Sequence, residues 1–190
     1  MKTIGLVSLD SVTGKTAENL NAIKKKFGFL PNLYSSFANN PAFLDGYVQL
    51  SNEFDKTTHL SPIEKDIVLL AASVENNCQY CVAGYTTALK KMKASEQTIK
   101  AIRMRDTLPN DKQDALVRLT SEMVTERGNV SEATREEFLR QGYSELAMMD
   151  ILTGVALKTM ATYFFHIFPV EIDTQYQDNV GPISIEEAMK

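Results

Sequence analysis

Ser61-Pro62-Ile63-Glu64-Lys65-Asp66-Ile67-Val68-Leu69-Leu70-Ala71-Ala72-Ser73-Val74-Glu75-Asn76-Asn77-Cys78-Gln79-Tyr80-Cys81 is the stretch on which the fold turns. Ser61 can cap a helix, Pro62 suits its first position, and Glu64 completes a capping box. Ile67, Val68, Leu70, Ala71 and Val74 make that helix largely buried, and it should run to about Glu75. Asn76-Asn77 break it, and a second helix is expected to begin near Asn77, carrying Cys78 and Cys81. These are the only two cysteines in the chain. Three positions apart on one helical turn, their sulfurs are close enough to form a disulfide and release it again. A chain so sparing of cysteine is not stapled by disulfides, so the pair reads first as a redox site. The plainer alternative is two small buried hydrophobes at a helix start.

Outward from this centre, the chain reads as helices punctuated by caps, with hardly a strand signal. Residues 4–9 suit a short extended arm. A first helix is expected over 15–27, stopped by Gly28, and Pro31 suits the first turn of the next. After Asn39-Asn40-Pro41, the spacing of Phe43, Leu44, Tyr47, Leu50 and Phe54 gives an amphipathic stripe. Met92 to Ser95 close the cysteine helix, and Ser95 can cap another. Residues 107–111 read as a linker, 113–127 as a helix ended by Gly128. Ser131 caps a segment to Leu139, Gln141-Gly142 break it, and Ser144 caps a long apolar helix ending at Pro169. The tail after Asp173 has no periodicity, which suits an arm on a partner subunit or a frayed end. A single domain over 1–190 follows, with its core at about 17–169.

At 190 residues, 44% hydrophobic and 23% charged, the composition is that of an ordinary soluble globular protein. A net charge of -4 with pI near 5.3 argues against a nucleic-acid surface. Lys24-Lys25-Lys26 reads as the solvated face of a helix. Residues 146–168 are apolar, but Asp150, Lys158 and His166 interrupt them. A buried or subunit-contacting helix fits that stretch better than a membrane span. With no signal peptide in evidence at the N-terminus, a cytoplasmic protein with reduced thiols is expected.

A thiol near its usual pKa of about 8.5 is a poor nucleophile at neutral pH, so a redox site must favour the thiolate. A helix N-terminus supplies part of this through its free N–H groups and dipole. Asp66 lies twelve positions before Cys78, and antiparallel packing of the two helices would bring it back toward the sulfurs. Tyr80 and Tyr85 lie on the cysteine helix itself, Tyr85 four positions after Cys81 and on its face. Each residue also has a structural reading: Asp66 as a first-turn acid, Tyr85 as packing. His166 reads as a satisfied core or interface histidine, Glu75 as a solvated helix-end charge, and His59 as a loop residue without further signal. Met148, Met149 and Met160 read as core. Two distant histidines leave no second ligand pair for zinc, and no phosphate-binding glycine loop is present, so no metal or cofactor is expected.

Residues 60–68 and 77–85, together with Gly28-Phe29-Leu30-Pro31-Asn32-Leu33 and Gly142-Tyr143-Ser144, resemble the carboxymuconolactone decarboxylase and alkyl hydroperoxidase D superfamily. The likeness is closest to its peroxidase-related branch. It implies an all-α, oligomeric AhpD-like helical fold, as a homotrimer or homohexamer. The peroxidase pattern is a glutamate, eleven residues, CxxC, three residues and a histidine. By that pattern Cys81 is the peroxidatic thiol, Cys78 the resolving thiol, and Asp66 holds the glutamate position of the proton relay. Tyr80 stands where a second histidine occurs, and Tyr85 replaces the motif histidine. The implied activity is thiol-dependent reduction of a hydroperoxide, with an external dithiol as reductant. A tyrosine in the histidine position implies a slower or alkaline-shifted reaction. The alternatives are a decarboxylase-like lyase and a helical assembly protein with weak catalysis.

Overall fold

The computed structural model describes residues 4–183, and among these the regular elements are all helical. They are α1 (Gly14–Phe27), α2 (Asn32–Phe37), α3 (Pro41–Lys56), α4 (Pro62–Glu75), α5 (Gln79–Lys91), α6 (Glu96–Met104), α7 (Asp111–Thr125), α8 (Glu132–Arg140) and α9 (Glu145–Ile167). Short 3-10 turns at Leu9–Ser11 and Thr174–Asn179 flank them. The expected capping box of α4 is complete. Ser61 Oγ accepts from the Glu64 N–H at 3.3 Å, and Glu64 Oε2 accepts from the Ser61 N–H at 2.8 Å. Ser95, Ser131 and Ser144 cap α6, α8 and α9 as their spacing predicts. Helix α7 starts two residues before the expected position, because the Asn110 side chain takes the Gln113 N–H.

Helix α4 is the centre of the molecule and packs against α5, α7 and α9. Every residue from Ile67 to Val74 is buried, so it is walled on all sides. Each such Leu, Val or Ile contributes about 1.5–3 kcal/mol relative to exposure. Two apolar clusters meet along this helix. One joins α4 to α6, α7, α8 and the first half of α9. The other joins α1, α2 and α3 to the start of α5, the second half of α9 and Tyr176, and it contains both cysteines. Gly154 lets α9 cross closely, since a Cβ there would lie 3.0 Å from Val68 Cγ1 and 3.2 Å from the Phe54 ring. The cysteines therefore sit where α4, α5 and α9 converge.

Several expectations are corrected here. Helix α5 begins at Gln79, two residues later than expected, with Cys78 as its N-cap. The core does not stop at 169. Asp173, Tyr176 and Ile183 are buried against the same chain, so the described tail is neither frayed nor detached; residues 184–190 lie outside the described part. Met149 is 64% exposed, in a stripe on α9 with Leu146, Leu152, Tyr163 and Ile167, whereas Met148 and Met160 pack against the clusters. No helix among the described residues is long and apolar enough to cross a membrane. The arm at residues 4–8 is extended and tied to α2 through Val7 and Ser35.

Candidate functional site

The turn that delivers Cys78 is a consequence of how α4 ends. Asn77 adopts a left-handed conformation (φ 54°), which asparagine tolerates better than most residues. Its N–H donates to the Val74 carbonyl, and the Cys78 N–H donates to the Ser73 carbonyl at 3.0 Å, the paired bonds of a Schellman cap. The chain then re-enters a helix at once. Cys78 Sγ takes the place of a serine cap oxygen and accepts from the Cys81 N–H at 3.3 Å. Both thiols are free and buried.

Arg105, at the end of α6, braces this turn. It donates to the Val74 carbonyl at 2.7 Å, to Asn77 Oδ1 at 3.2 Å and to Glu75 Oε2 at 3.1 Å. Glu75 is thus an ion-pair partner, not a freely solvated charge, and its side chain is only 13% exposed. His166 is not a core residue. It is exposed on α9, with Nε2 3.3 Å from the Asn77 carbonyl, where it steadies the turn from outside. His59 does carry a partner: Nδ1 lies 3.0 Å from the buried Asp150 carboxylate. Lys24, Lys25 and Lys26 are exposed, and Lys26 pairs with Asp55.

A cavity of about 80 Å³ opens onto Cys81 and not onto Cys78. Its walls include the rings of Tyr34, Tyr47, Tyr85 and Tyr176, and Lys158 from α9. Lys158 is 2% exposed, and its ammonium lies over the Tyr85 ring, 4.4 Å from the centroid. Tyr85 therefore does line the cavity with Cys81. Burial pushes its phenol up, so at neutral pH it keeps its proton and is not a base. Tyr80 borders the same cavity, but its hydroxyl donates to the Asp173 carboxylate and accepts from the Leu33 N–H at 3.2 Å. That hydroxyl ties α5 to α2 and to the tail. Asp66 makes no hydrogen bond to either sulfur among the described residues, yet its charge is felt by Tyr85 and Lys158. Burial, with Asp55 close by, raises its carboxyl to about 6, while Lys26 and Lys158 oppose the rise.

The two thiols differ in acidity. The Cys78 S–H donates to Cys81, which outweighs the cost of burial, and Lys158 adds its positive charge; the Cys81 thiol falls to about 6. The buried Thr162 hydroxyl, which makes no hydrogen bond among the described residues, also favours the anion. Burial and the neighbouring Cys81 push Cys78 up. The anion of the pair therefore resides on Cys81. Sequence reasoning missed Lys158, Thr162, Tyr47 and Arg105. Lys158 alone left a signal, a cation inside the apolar run 146–168, and it was legible only as a mark against a membrane span.

These shifts fix the sign of the pH dependence of stability. Asp66 is raised in the folded state, so its contribution is present below about pH 4 and is lost as pH rises to about 6. Cys81 is lowered, so its contribution is lost as pH falls through about 6 and grows toward its unfolded value of about 8.5. Cys78, being raised, opposes this only above that value. Urea unfolding of the reduced protein is expected to show stability falling from pH 4 to 6 and recovering from 6 to 8.5. In the disulfide form the recovery should vanish and the fall remain. A reduced protein whose stability declines from pH 6 to 8.5 would contradict the Cys81 assignment.

Residues 41–122 match the carboxymuconolactone decarboxylase family. No curated protein matches the sequence. Among solved structures, an uncharacterized peroxidase-related protein from Silicibacter sp. TM1040 is 19% identical, with a TM-score of 0.78 over 95% of each chain. The alkylhydroperoxidase AhpD core of an uncharacterized peroxidase-related protein from Ralstonia eutropha JMP134 is 17% identical. Its TM-score is 0.81, covering 90% of this chain and 92% of that one. A variant of the debrominase Bmp8 in complex with 2,3,4-tribromopyrrole is 16% identical, with a TM-score of 0.80 and coverage of 94% and 96%. At these identities the likeness extends to the all-helical architecture and not to the chemistry.

Proposed function

We propose that this chain, a member of the carboxymuconolactone decarboxylase superfamily through its residues 41–122, is a thiol-dependent hydroperoxide reductase. The observation that carries the proposal is the asymmetry of the two thiols. The acidic one, Cys81, lines a cavity, and the other sits beneath it as the cap of the same helical turn. The Cys81 thiolate attacks the outer oxygen of a hydroperoxide. An S–O bond forms, the O–O bond breaks, and an alcohol or water leaves with one proton. Cys78 then displaces water from the resulting sulfenic acid to give the disulfide. An external dithiol, oxidised in turn, restores both thiols.

The cavity walls are mainly aromatic and apolar, which suits a small organic hydroperoxide. A lyase acting on a lactone has no use for two neighbouring thiols of unequal acidity. An inert scaffold has no use for an acidic thiol at a cavity wall. The protein works in a reducing compartment, as a homotrimer or homohexamer to which the apolar stripe of α9 offers a contact surface. One equivalent of a small hydroperoxide, such as tert-butyl hydroperoxide, is expected to convert both free thiols to a disulfide that dithiothreitol reverses. Two thiols still titratable after excess hydroperoxide would sink the proposal.

A further inference from the structure

Lysine is rarely buried without a partner, because moving an ammonium out of water costs several kcal/mol unless an anion or good acceptors replace the solvent. Lys158 is 2% exposed in the middle of the most apolar helix of the chain. It lies one turn beyond Gly154, whose missing side chain lets α9 approach α4 and α3. From there the ammonium enters the cavity that Cys81 lines, over the Tyr85 ring. Among the described residues lining that cavity it is the only cation. The groups facing it from the packed elements are Tyr34 on α2, Tyr47 on α3, Asp66 on α4, and Cys78, Cys81 and Tyr85 on α5. Tyr176 of the tail completes the set. Burial pushes the phenols up, so at neutral pH they carry no charge. The anions available to Lys158 are the Cys81 thiolate and the Asp66 carboxylate. Tyr85, one turn along α5 from Cys81, holds the ammonium with its ring face and offers no base of its own.

We propose that Lys158 fills the role left open by the tyrosine at position 85: its ammonium is the counter-ion of the Cys81 thiolate and the proton donor to the departing oxygen. This rests on the hydroperoxide reading of the site. The thiolate takes the outer O–H of the hydroperoxide and becomes a sulfenic acid. The O–O electron pair leaves with the inner oxygen, which takes one proton from Lys158 and departs as the alcohol. Lys158 is then a neutral amine. In the second step it accepts the Cys78 thiol proton, Cys78 closes the S–S bond, and the displaced hydroxide takes that proton to leave as water. The disulfide form therefore holds a neutral buried amine, which burial favours. The two hydrogens delivered by the external dithiol restore the Cys78 thiol and the Lys158 ammonium, leaving Cys81 as thiolate. In the reduced protein Cys81 and the neighbouring Tyr47 and Tyr85 outweigh burial and hold the Lys158 ammonium well above its usual range. Once the thiolate is consumed that support is lost, and a buried ammonium, unlike a guanidinium, can then give up its proton.

The test uses the full chain with Cys78→Ser, so that one thiol is read, and compares it with the same chain carrying Lys158→Met or Lys158→Arg. Thiolate absorbance against pH reports the counter-ion. Lys158→Met is expected to raise the Cys81 titration by roughly one to three units, and Lys158→Arg to leave it low. The rate of sulfenic acid formation with tert-butyl hydroperoxide, compared at full ionisation of Cys81, reports the proton donor. Both variants are expected to lose about 10²-fold or more. Replacing a buried ion by an apolar side chain of similar volume is tolerated by many folds, and helical circular dichroism checks that this one is intact. An unmoved titration in folded Lys158→Met overturns the inference, whatever the rate. A raised titration with an undiminished rate at full ionisation removes the proton-donor role. If the unsubstituted protein leaves hydroperoxide untouched while the titration still moves, the hydroperoxide reading fails together with the donor role. The counter-ion assignment then stands.

Discussion

Cys81→Ser is expected to lower the rate of hydroperoxide consumption by at least ~10³-fold, while Cys78→Ser completes one turnover and stops as a sulfenic acid. The order of the thiols is not self-evident, because Cys78 also has a stabilising partner, the Cys81 N–H at 3.3 Å. One neutral N–H donor to a sulfur is a small contribution, worth about 0.5–1.5 kcal/mol. Against it, Cys81 has the Cys78 S–H, the Thr162 hydroxyl and the buried charge of Lys158, and charge-assisted interactions are roughly twice as strong as neutral ones. Access points the same way, since the cavity reaches Cys81 while Cys78 is completely buried. Trapping with a sulfenic-acid reagent and mass spectrometry reads the outcome. A trapped adduct on Cys78 in Cys81→Ser, with none on Cys81 in Cys78→Ser, would reverse the assignment and with it the role given to the cavity.

How much of this was legible before the structure depends on the range of the interaction that decides each feature. Ser61, Pro62 and Glu64 act within one turn, so α4 and its capping box could be read directly, and so could the serine caps at 95, 131 and 144. The start of α5 was misplaced by two residues because the cap is a thiol, and a cysteine gives no conventional capping signal. Asn76-Asn77 was legible as a break. That Asn77 closes a Schellman cap delivering Cys78 straight into the next helix depends on its left-handed backbone, which the residue type permits without requiring. Asp66 and Tyr85 were picked out by spacing, and both lie within electrostatic reach of Lys158. Lys158 itself is joined to Cys81 across 77 positions of sequence, by a helix crossing that Gly154 permits. No local pattern encodes such a contact. The same holds for Tyr80, whose hydroxyl is committed to Asp173 at the far end of the chain.

Phe37→Ala is expected to destabilise the protein by about 3–5 kcal/mol, a large share of what a domain of this size commonly has. Phe37 is 1% exposed and is the hub where α2, α3 and α9 meet. Its ring lies 5.9 Å from Tyr34, 5.0 Å from Phe43, 5.0 Å from Tyr47 and 4.7 Å from Phe164, all in edge-on arrangements. Alanine removes these contacts and leaves a void that four rings on three helices cannot close without moving. Urea unfolding of the reduced protein at pH 7 measures the loss; a change below about 1 kcal/mol would mean that the rings are not packed as described. The functional consequence is directional. Tyr34 and Tyr47 are walls of the cysteine cavity and rest on Phe37 from behind. The thiolate's own partners, Cys78, Thr162 and Lys158, belong to α9 and to α5 with its cap, not to the N-terminal helices. In protein that remains folded, Phe37→Ala should therefore weaken substrate positioning while leaving the Cys81 titration near its original value. That separates the shape of the pocket, built by the N-terminal helices, from the acidity of the thiol, built by the crossing of α5 and α9.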